Sequence, residues 1–357
     1  MGEGAIAVVG ATGFTGGLVV EALRSRGAEV RAVGRNRAKL DALAATHPGV
    51  EVRAVGWSAE EIAEALRGCA SMVSCAGPFI QAGHPVAEAA VRARVPYCDS
   101  TGEQTFVRWV FDDLAQPARA AGVPLVPAAG FDYAPGDLGA ALVADGLGPL
   151  ERIDVVYAPE RDHTSVGTRV SALGIIASGG VALRDGRLRP VKLGALRRTV
   201  DVGFARVTGG LIPTGEPLQV PHHLDVATVY GYLALPGRMN PGNPGAGLFA
   251  GALRLPGVRG TMERMARGGP VGPDERQRAS RIACHVQAQA CDGRRRALLL
   301  EGTQDAYTYT AASLSELALR LAAGVDATGP CAPAEVVDAA SFLAATGLSV
   351  WEVSPEG

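Results

Sequence analysis

The stretch Gly10-Ala11-Thr12-Gly13-Phe14-Thr15-Gly16 has the spacing G-x-x-G-x-x-G and directly follows the apolar run Ala5–Val9. These residue types suit a pyrophosphate. Bare glycine backbone lets N–H groups and the positive end of a following helix approach anionic oxygens. Thr12 and Thr15 add hydroxyl donors. A glycine turn can also serve only to pack a strand on a helix. Its position between a strand-like run and a helical one, in β-α-β order, points instead to a dinucleotide. Gly10, Thr12, Gly13, Phe14, Thr15 and Gly16 are therefore expected to hold the cofactor.

The next informative stretch is Ala32-Val33-Gly34-Arg35-Asn36-Arg37. A site for NAD places Asp or Glu about 20 residues past the loop, on the ribose hydroxyl. No carboxylate stands here. Arg35 offers a planar fork of donors for a 2′-phosphate and a flat surface for adenine. Asn36, Arg37 and Lys39 lie close by, so the expected cofactor is NADPH. Cys75-Ala76-Gly77-Pro78-Phe79 follows the apolar strand Met72–Cys75, whose end in a doubly wound sheet lies beside the cofactor. Cys75, Ala76, Gly77, Pro78 and Phe79 complete the cofactor set. Cys75 reads as a buried strand cysteine, because no base or cation beside it would form a thiolate.

Hydride chemistry belongs to the cofactor, and the protein must position the substrate and manage a proton. Three stretches offer groups for that. In Tyr97–Glu103, Tyr97 can donate a proton and Asp99 can stabilise a cation or orient a water; Asp99 can equally cap the next helix. In the Gly/Pro-rich turn Gly130–Asp137, Asp132 is a pocket candidate. Pro221-His222-His223 precedes a strand with Tyr230 and Tyr232, and His222 and His223 are natural acids near neutral pH. The catalytic set is thus His222, His223, Tyr97, Asp99 and Asp132. Other chemistries lack their residues. No tyrosine has lysine four positions on, and only Lys39 and Lys192 are available for a Schiff base. No G-x-S-x-G elbow, P-loop or Cys/His ligand spacing occurs, so no metal is expected.

These groups need a scaffold. Strands are predicted at Ala5–Val9, Glu29–Val33, Met72–Cys75, Pro96–Asp99 and Leu125–Pro127, with helices at Gly16–Arg26, Arg37–Ala45 and near Pro85–Ala93. That alternation implies a parallel sheet. After Gly148 the texture changes. A helix is predicted over Ser165–Ser178, capped by Thr164 or Ser165, and strands over Ile153–Tyr157, Thr199–Val207, Ala227–Leu235, Ile282–Ala290 and Arg296–Glu301. The last two suit a hairpin across Asp292-Gly293. Arg238–Gly247 reads as a loop and Ala311–Ala323 as a helix. The fold class is α/β: an N-terminal Rossmann domain (1–148), a mixed-sheet α/β substrate and dimerisation domain (149–310), and a C-terminal helical segment (311–357) that returns to the first domain.

The chain has 357 residues, 47% hydrophobic and 20% charged, with net charge −2. That balance gives no reason to expect nucleic acid or a membrane as partner. Six cysteines without C-x-x-C spacing are expected to be reduced thiols. The start of the chain runs straight into a strand, which predicts a cytoplasmic protein.

Together, GATGFTG (Gly10–Gly16), GRNRAKL (Gly34–Leu40), CAGPF (Cys75–Phe79), YCDSTGE (Tyr97–Glu103) and AAGFDYAPGDLG (Ala128–Gly139) resemble the saccharopine dehydrogenase-like family. Ser165–Leu173 and Thr308–Gly324 resemble its bacterial trans-acting enoyl reductase branch. The resemblance implies an NADP-binding domain, a second domain covering the nicotinamide, and reduction of an activated C=C or C=N bond in a small or carrier-linked metabolite. The strand patterns of the second domain, if they share one open sheet, also allow a homodimer. The other reading of the same loop is a non-catalytic NADPH sensor or scaffold.

Overall fold

Residue alternation and burial build the first sheet. The computed structural model describes residues 4–237, 240–253, 255 and 257–356. Six strands come first: β1 (Ala5–Val9), β2 (Val30–Gly34), β3 (Glu51–Ala54), β4 (Cys69–Ser74), β5 (Tyr97–Asp99) and β6 (Pro124–Val126). With the late strand Gly329–Pro330 they form one sheet, ordered Gly329–Pro330, β6, β5, β4, β1, β2, β3. Every pairing in it is parallel. Val8 and Val9 are fully buried, as strands with helices on both faces require. The order reverses between β1 and β4, and ligands of such sheets bind at the carboxyl ends beside that point.

Several elements of the first unit were not anticipated, among them β3 and the helix Ala59–Leu66. β3 is short and half exposed, so it lacks an apolar signature. The helix Ala59–Leu66 is announced by its capping box, in which Ser58 and Glu61 exchange hydrogen bonds with each other's backbone. The helix expected near Pro85 starts earlier, at Phe79, and runs through the proline to Ala93. Its buried face, from Phe79 and Gly83 to Val86 and Ala90, offsets the one missing N–H.

The chain divides into two units. The first comprises residues 1–101, 105–131 and 307–337; the second comprises 102–104, 132–306 and 338–357. These limits differ from the sequence partition at 148 and 310. The helix Ala306–Ala323 falls in the first unit from residue 307 on, but the chain after Val337 adds the strand Ser349–Val353 to the second unit.

The second unit holds β7 (Leu150–Pro159), β8 (Gly180–Arg184), β9 (Arg187–Val191), β10 (Arg197–Asp201), β11 (Arg206–Leu211), β12 (Val226–Leu233), β13 (Ile282–Ala290) and β14 (Arg295–Gly302). The sheet runs β10, β11, β12, β7, β13, β14, Ser349–Val353, with β8 on β12 and β9 on β8. β7 and β12 are parallel and the other pairings antiparallel, so the sheet is mixed. The expected single strand Thr199–Val207 is in fact two. The Asp201 carboxylate accepts the Gly203 N–H at 2.9 Å, and Gly203 has φ +78°, so the chain turns there. The hairpin of β13 and β14 turns at Gly293, φ +89°, as its Asp-Gly signal predicts.

Ser165 caps the helix Val166–Ser178. In the expected loop 238–247, Arg238 and Met239 lie outside the described residues, and a helix begins at Ala246. Among the described residues no helix is long and apolar enough to cross a membrane.

Candidate cofactor and catalytic sites

In the first unit the loop after β1 meets the end of β4. Gly10 has φ +82°, and a Cβ there would lie 2.9 Å from the Cys75 carbonyl carbon. A Cβ on Gly16 would overlap the Gly10 carbonyl oxygen. These two positions accept only glycine. Gly13 caps the helix Phe14–Ser25 with no side-chain hydrogen bond. Thr12 and Gly13 are exposed, and Thr15 is half-buried. The result is a bare helix N-terminus with hydroxyls beside it, at the switch point of a parallel sheet. It fits a dinucleotide pyrophosphate. The Phe14 ring packs edge-on against Tyr307 at 5.1 Å.

Arg35 sits just past β2 with its guanidinium 5.0 Å from the centre of the Trp57 ring. It borders an open depression of about 720 Å³ with Val55, Gly56, Glu60, Glu61 and Glu64. The three carboxylates are engaged elsewhere. Glu60 pairs with Arg92 at 3.0 Å, Glu64 pairs with Arg67 at 2.9 Å, and Glu61 closes the capping box on Ser58. Among the described residues no carboxylate pairs with Arg35, so its cation remains for a ligand. Asn36 caps the helix Arg37–Thr46 by accepting the Lys39 N–H at 3.0 Å. Arg37 is paired with Asp41 at 2.8 Å, and Lys39 is exposed.

Cys75 lies just past the end of β4 and is half-buried, not the fully buried strand cysteine expected; the protein around it pushes its thiol up to about 12. Ala76, Gly77 and Pro78 form the turn that starts the helix Phe79–Ala93. Phe79 departs from expectation. Its ring is 4% exposed and packs on Phe106 at 5.3 Å, so the side chain belongs to the core, where it also underlies Gly77 of the turn.

Tyr97 and Asp99 also need correction. Both side chains are fully buried, and the Tyr97 hydroxyl donates to Asp99 Oδ2 at 2.6 Å. Asp99 Oδ1 accepts the N–H groups of Thr101 at 2.8 Å and Ala128 at 2.9 Å. The carboxylate ties the end of β5 to the loop after β6. That loop is under tension, since Ala128 has φ +59°. Thr310 and Ser313 hold it from the helix Ala306–Ala323, by hydrogen bonds with Phe131 N–H at 3.0 Å and Ala129 C=O at 2.7 Å. Burial, with Asp99 beside it, holds the Tyr97 hydroxyl well above its usual range, so it stays protonated and donates to that carboxylate.

The second unit contains the remaining candidates. Asp132 is exposed, yet protein surrounds it closely enough to raise its carboxyl above the usual range. Gly102 lies against it; a Cβ there would be 3.3 Å from Asp132 Oδ2. Tyr133 donates its hydroxyl hydrogen bond to the Gly102 carbonyl. His223 is paired with Asp137 at 2.7 Å, and the Asp137 side chain is fully buried. His222 is exposed at the end of a short 3₁₀ turn. The two adjacent histidines therefore differ: one is oriented by a carboxylate, the other faces solvent.

Sequence reasoning missed a further buried group. Glu216 is fully buried at the start of a short helix, and the Tyr157 hydroxyl donates to it while accepting the Gly136 N–H at 3.1 Å. Burial raises Glu216 to about 7, against the opposing hydrogen bonds of Thr214 and Tyr157. Gln104 ties this region together by donating to the carbonyls of Thr214 and Val181. The only trace in the sequence is a glutamate set between Gly215 and Pro217.

Residues 10–110 match the family model of NAD(P)H-binding domains. The first unit is an NAD(P)-binding Rossmann unit. The trans-acting enoyl reductase of Mycobacterium leprae is 33% identical over 182 residues, 47% of this chain and 43% of that protein. That of Mycobacterium ulcerans is 30% identical over 200 residues, covering 52% and 46%. The chain thus spans under half the length of these relatives. Saccharopine dehydrogenase (L-Glu forming) of Saccharomyces cerevisiae aligns over 98% of this chain and 100% of its own, with TM-score 0.65 and 12% identity. The chain has the saccharopine dehydrogenase fold and is related in sequence to trans-acting enoyl reductases, as the motifs indicated. Among the described residues no cluster suited to a metal ion occurs.

Proposed function

We propose that this protein is an NADPH-dependent reductase of an activated C=C bond, acting on an enoyl thioester that a carrier delivers. The observation that carries the reading is the loop at Gly10–Gly16, where Gly10 and Gly16 leave no room for a side chain and Gly13 leaves the helix N-terminus uncapped. Such a loop is shaped for pyrophosphate. Arg35, stacked on Trp57 and with no carboxylate partner among the described residues, supports NADPH over NADH. The enoyl substrate is supported by the kinship with trans-acting enoyl reductases.

Bound NADPH supplies the hydride. The protein's own groups must then give a proton to the carbon next to the thioester carbonyl. Asp132 suits that task, because an exposed carboxyl whose pKa is raised holds its proton nearer neutral pH. His223, held by Asp137, is the second proton source.

The test is direct. NADPH and NADH are titrated by nicotinamide fluorescence, and then crotonyl thioesters and a cyclic imine are offered with NADPH. Tight NADPH binding and thioester turnover support the reading. Turnover of the imine alone would move the reaction to C=N. Binding of neither dinucleotide would end it.

A further inference from the structure

We propose that the hairpin of β8 and β9, with the segment following it to Arg197, is the docking surface for an acidic carrier protein that presents the substrate as a thioester. The proposal rests on the reductase reading above and names the partner of that site.

The chemistry starts in the sequence. Residues 184–198 contain six lysines and arginines against one aspartate, in a chain of net charge −2. Asp185 lies 3.6 Å from Arg184, and Arg198 is 3.9 Å from Asp154. Arg187, Arg189, Lys192 and Arg197 are exposed, and among the described residues they form no ion pair. Surface arginines elsewhere commonly have partners, as Arg108 has Asp112 and Arg294 has Asp292. Between these free cations lie Leu188 and Leu196, 39% and 41% exposed.

Edge protection accounts for part of this pattern. β9 pairs only with β8, and cations with Pro190 on an open edge discourage self-association. Arg197 opens β10, the other edge strand, so the same reading covers it; it does not account for Lys192, which lies beyond β9, or for two exposed leucines. An apolar centre with a charged rim is the anatomy of a docking patch. Free cations of one sign select a partner of the other sign and speed its encounter.

The placement fits delivery. At the base of β8, Val181 exchanges two hydrogen bonds with the Gln104 side chain, both 2.8 Å. Gln104 closes the short segment 102–104, whose Gly102 lies against Asp132. The hairpin is therefore tied to the segment that lines the proposed proton donor. A five-residue strand is roughly 17 Å long, which keeps the patch within reach of a flexible thioester arm.

The experiment separates docking from turnover. A fluorescently labelled acidic acyl carrier protein is titrated with the full chain at low and high salt, using wild type, the triple variant R187E/R189E/K192E and the single variant R197E. NADPH binding by each variant checks its fold. The expected result is salt-sensitive carrier binding that weakens about tenfold or more in the triple variant and less in R197E. Crotonyl N-acetylcysteamine, which needs no docking, should be reduced at the wild-type rate by both. Equal carrier binding by wild type and triple variant would overturn the proposal. So would a short DNA duplex that binds as tightly as the carrier and loses affinity in the same variants, since the patch would then be a general polyanion surface. If wild type binds carrier as expected but reduces no thioester, docking stands and the reductase reading falls.

Discussion

On the proposed reading, Arg35 carries the choice between two cofactors that differ by one phosphate. Its cation faces an aromatic ring, and its neighbouring carboxylates are committed to other partners. Arg35→Ala should weaken NADPH about ten- to a hundredfold, the worth of one charge-assisted hydrogen bond, and leave NADH unchanged. Fluorescence titration of both cofactors reads this. Asp132→Asn should lower kcat by about 10²–10⁴, the usual share of a general acid. Wild-type kcat should fall as pH rises through the raised Asp132 pKa, and the variant should lose that dependence. Glu216 makes a different prediction. Its pKa is about 7 in the fold against an ordinary 4.5, so between those values the folded state holds more protons than the unfolded one. Stability must therefore fall as pH rises across that window, by about 3 kcal/mol, and level off above it. Glu216→Gln should remove the fall, which urea unfolding at pH 5 and pH 8 would show. Arg35 was legible because the absence of a carboxylate after β2 is itself a signal. Glu216 was not, because a carboxylate between glycine and proline looks like a surface turn until the fold buries it. The burial of Tyr97 and Asp99 was not legible for the same reason. Their types suit proton chemistry, and only hydrogen bonds formed in the fold show that they brace a loop.

Elements were readable where burial imposes a pattern. β1, β2 and β4 lie inside a parallel sheet, and their apolar runs stand out. β3 is half exposed and gave no such run. β10 and β11 read as one strand because both alternate, and the break rests on one glycine and one aspartate. The glycine loop was the clearest element, since each glycine answers a separate steric demand. Gly16→Ala tests this. The added methyl would overlap the Gly10 carbonyl, and the helix would have to shift away from β1. Loss of NADPH binding and destabilisation of about 1–3 kcal/mol are expected, the range for overpacking a close contact. Gly17→Ala, whose Cβ would find its nearest contact at 3.9 Å, should keep both. Equal effects at the two positions would mean that helix propensity, not backbone approach, governs the loop.

At the scale of the whole chain, the two units are interleaved in sequence, which no local pattern reveals. The first unit needs residues from three segments, the last of them 307–337. That segment gives the helix whose Thr310 and Ser313 hold the strained loop at Ala128, and an edge strand on β6. The terminal residues 338–357 serve only the second unit, where Ser349–Val353 pairs with β14. Two truncations should therefore behave differently. A chain ending at Val337 keeps every residue of the first unit and should bind NADPH with nearly wild-type affinity, although its second sheet has lost a strand. A chain ending at Asp305 lacks the helix and the edge strand. Its loop at Ala128 keeps the Asp99 tie but loses the Thr310 and Ser313 hydrogen bonds, so the positive φ is enforced from one side only and the carboxyl end of β6 loosens. It should fail to bind NADPH and should exchange the amide protons of β5 and β6 rapidly. Hydrogen exchange on the two truncated chains, with and without NADPH, checks this, and protection of β5 and β6 in the shorter chain would show that residues 1–131 fold without the returning segment.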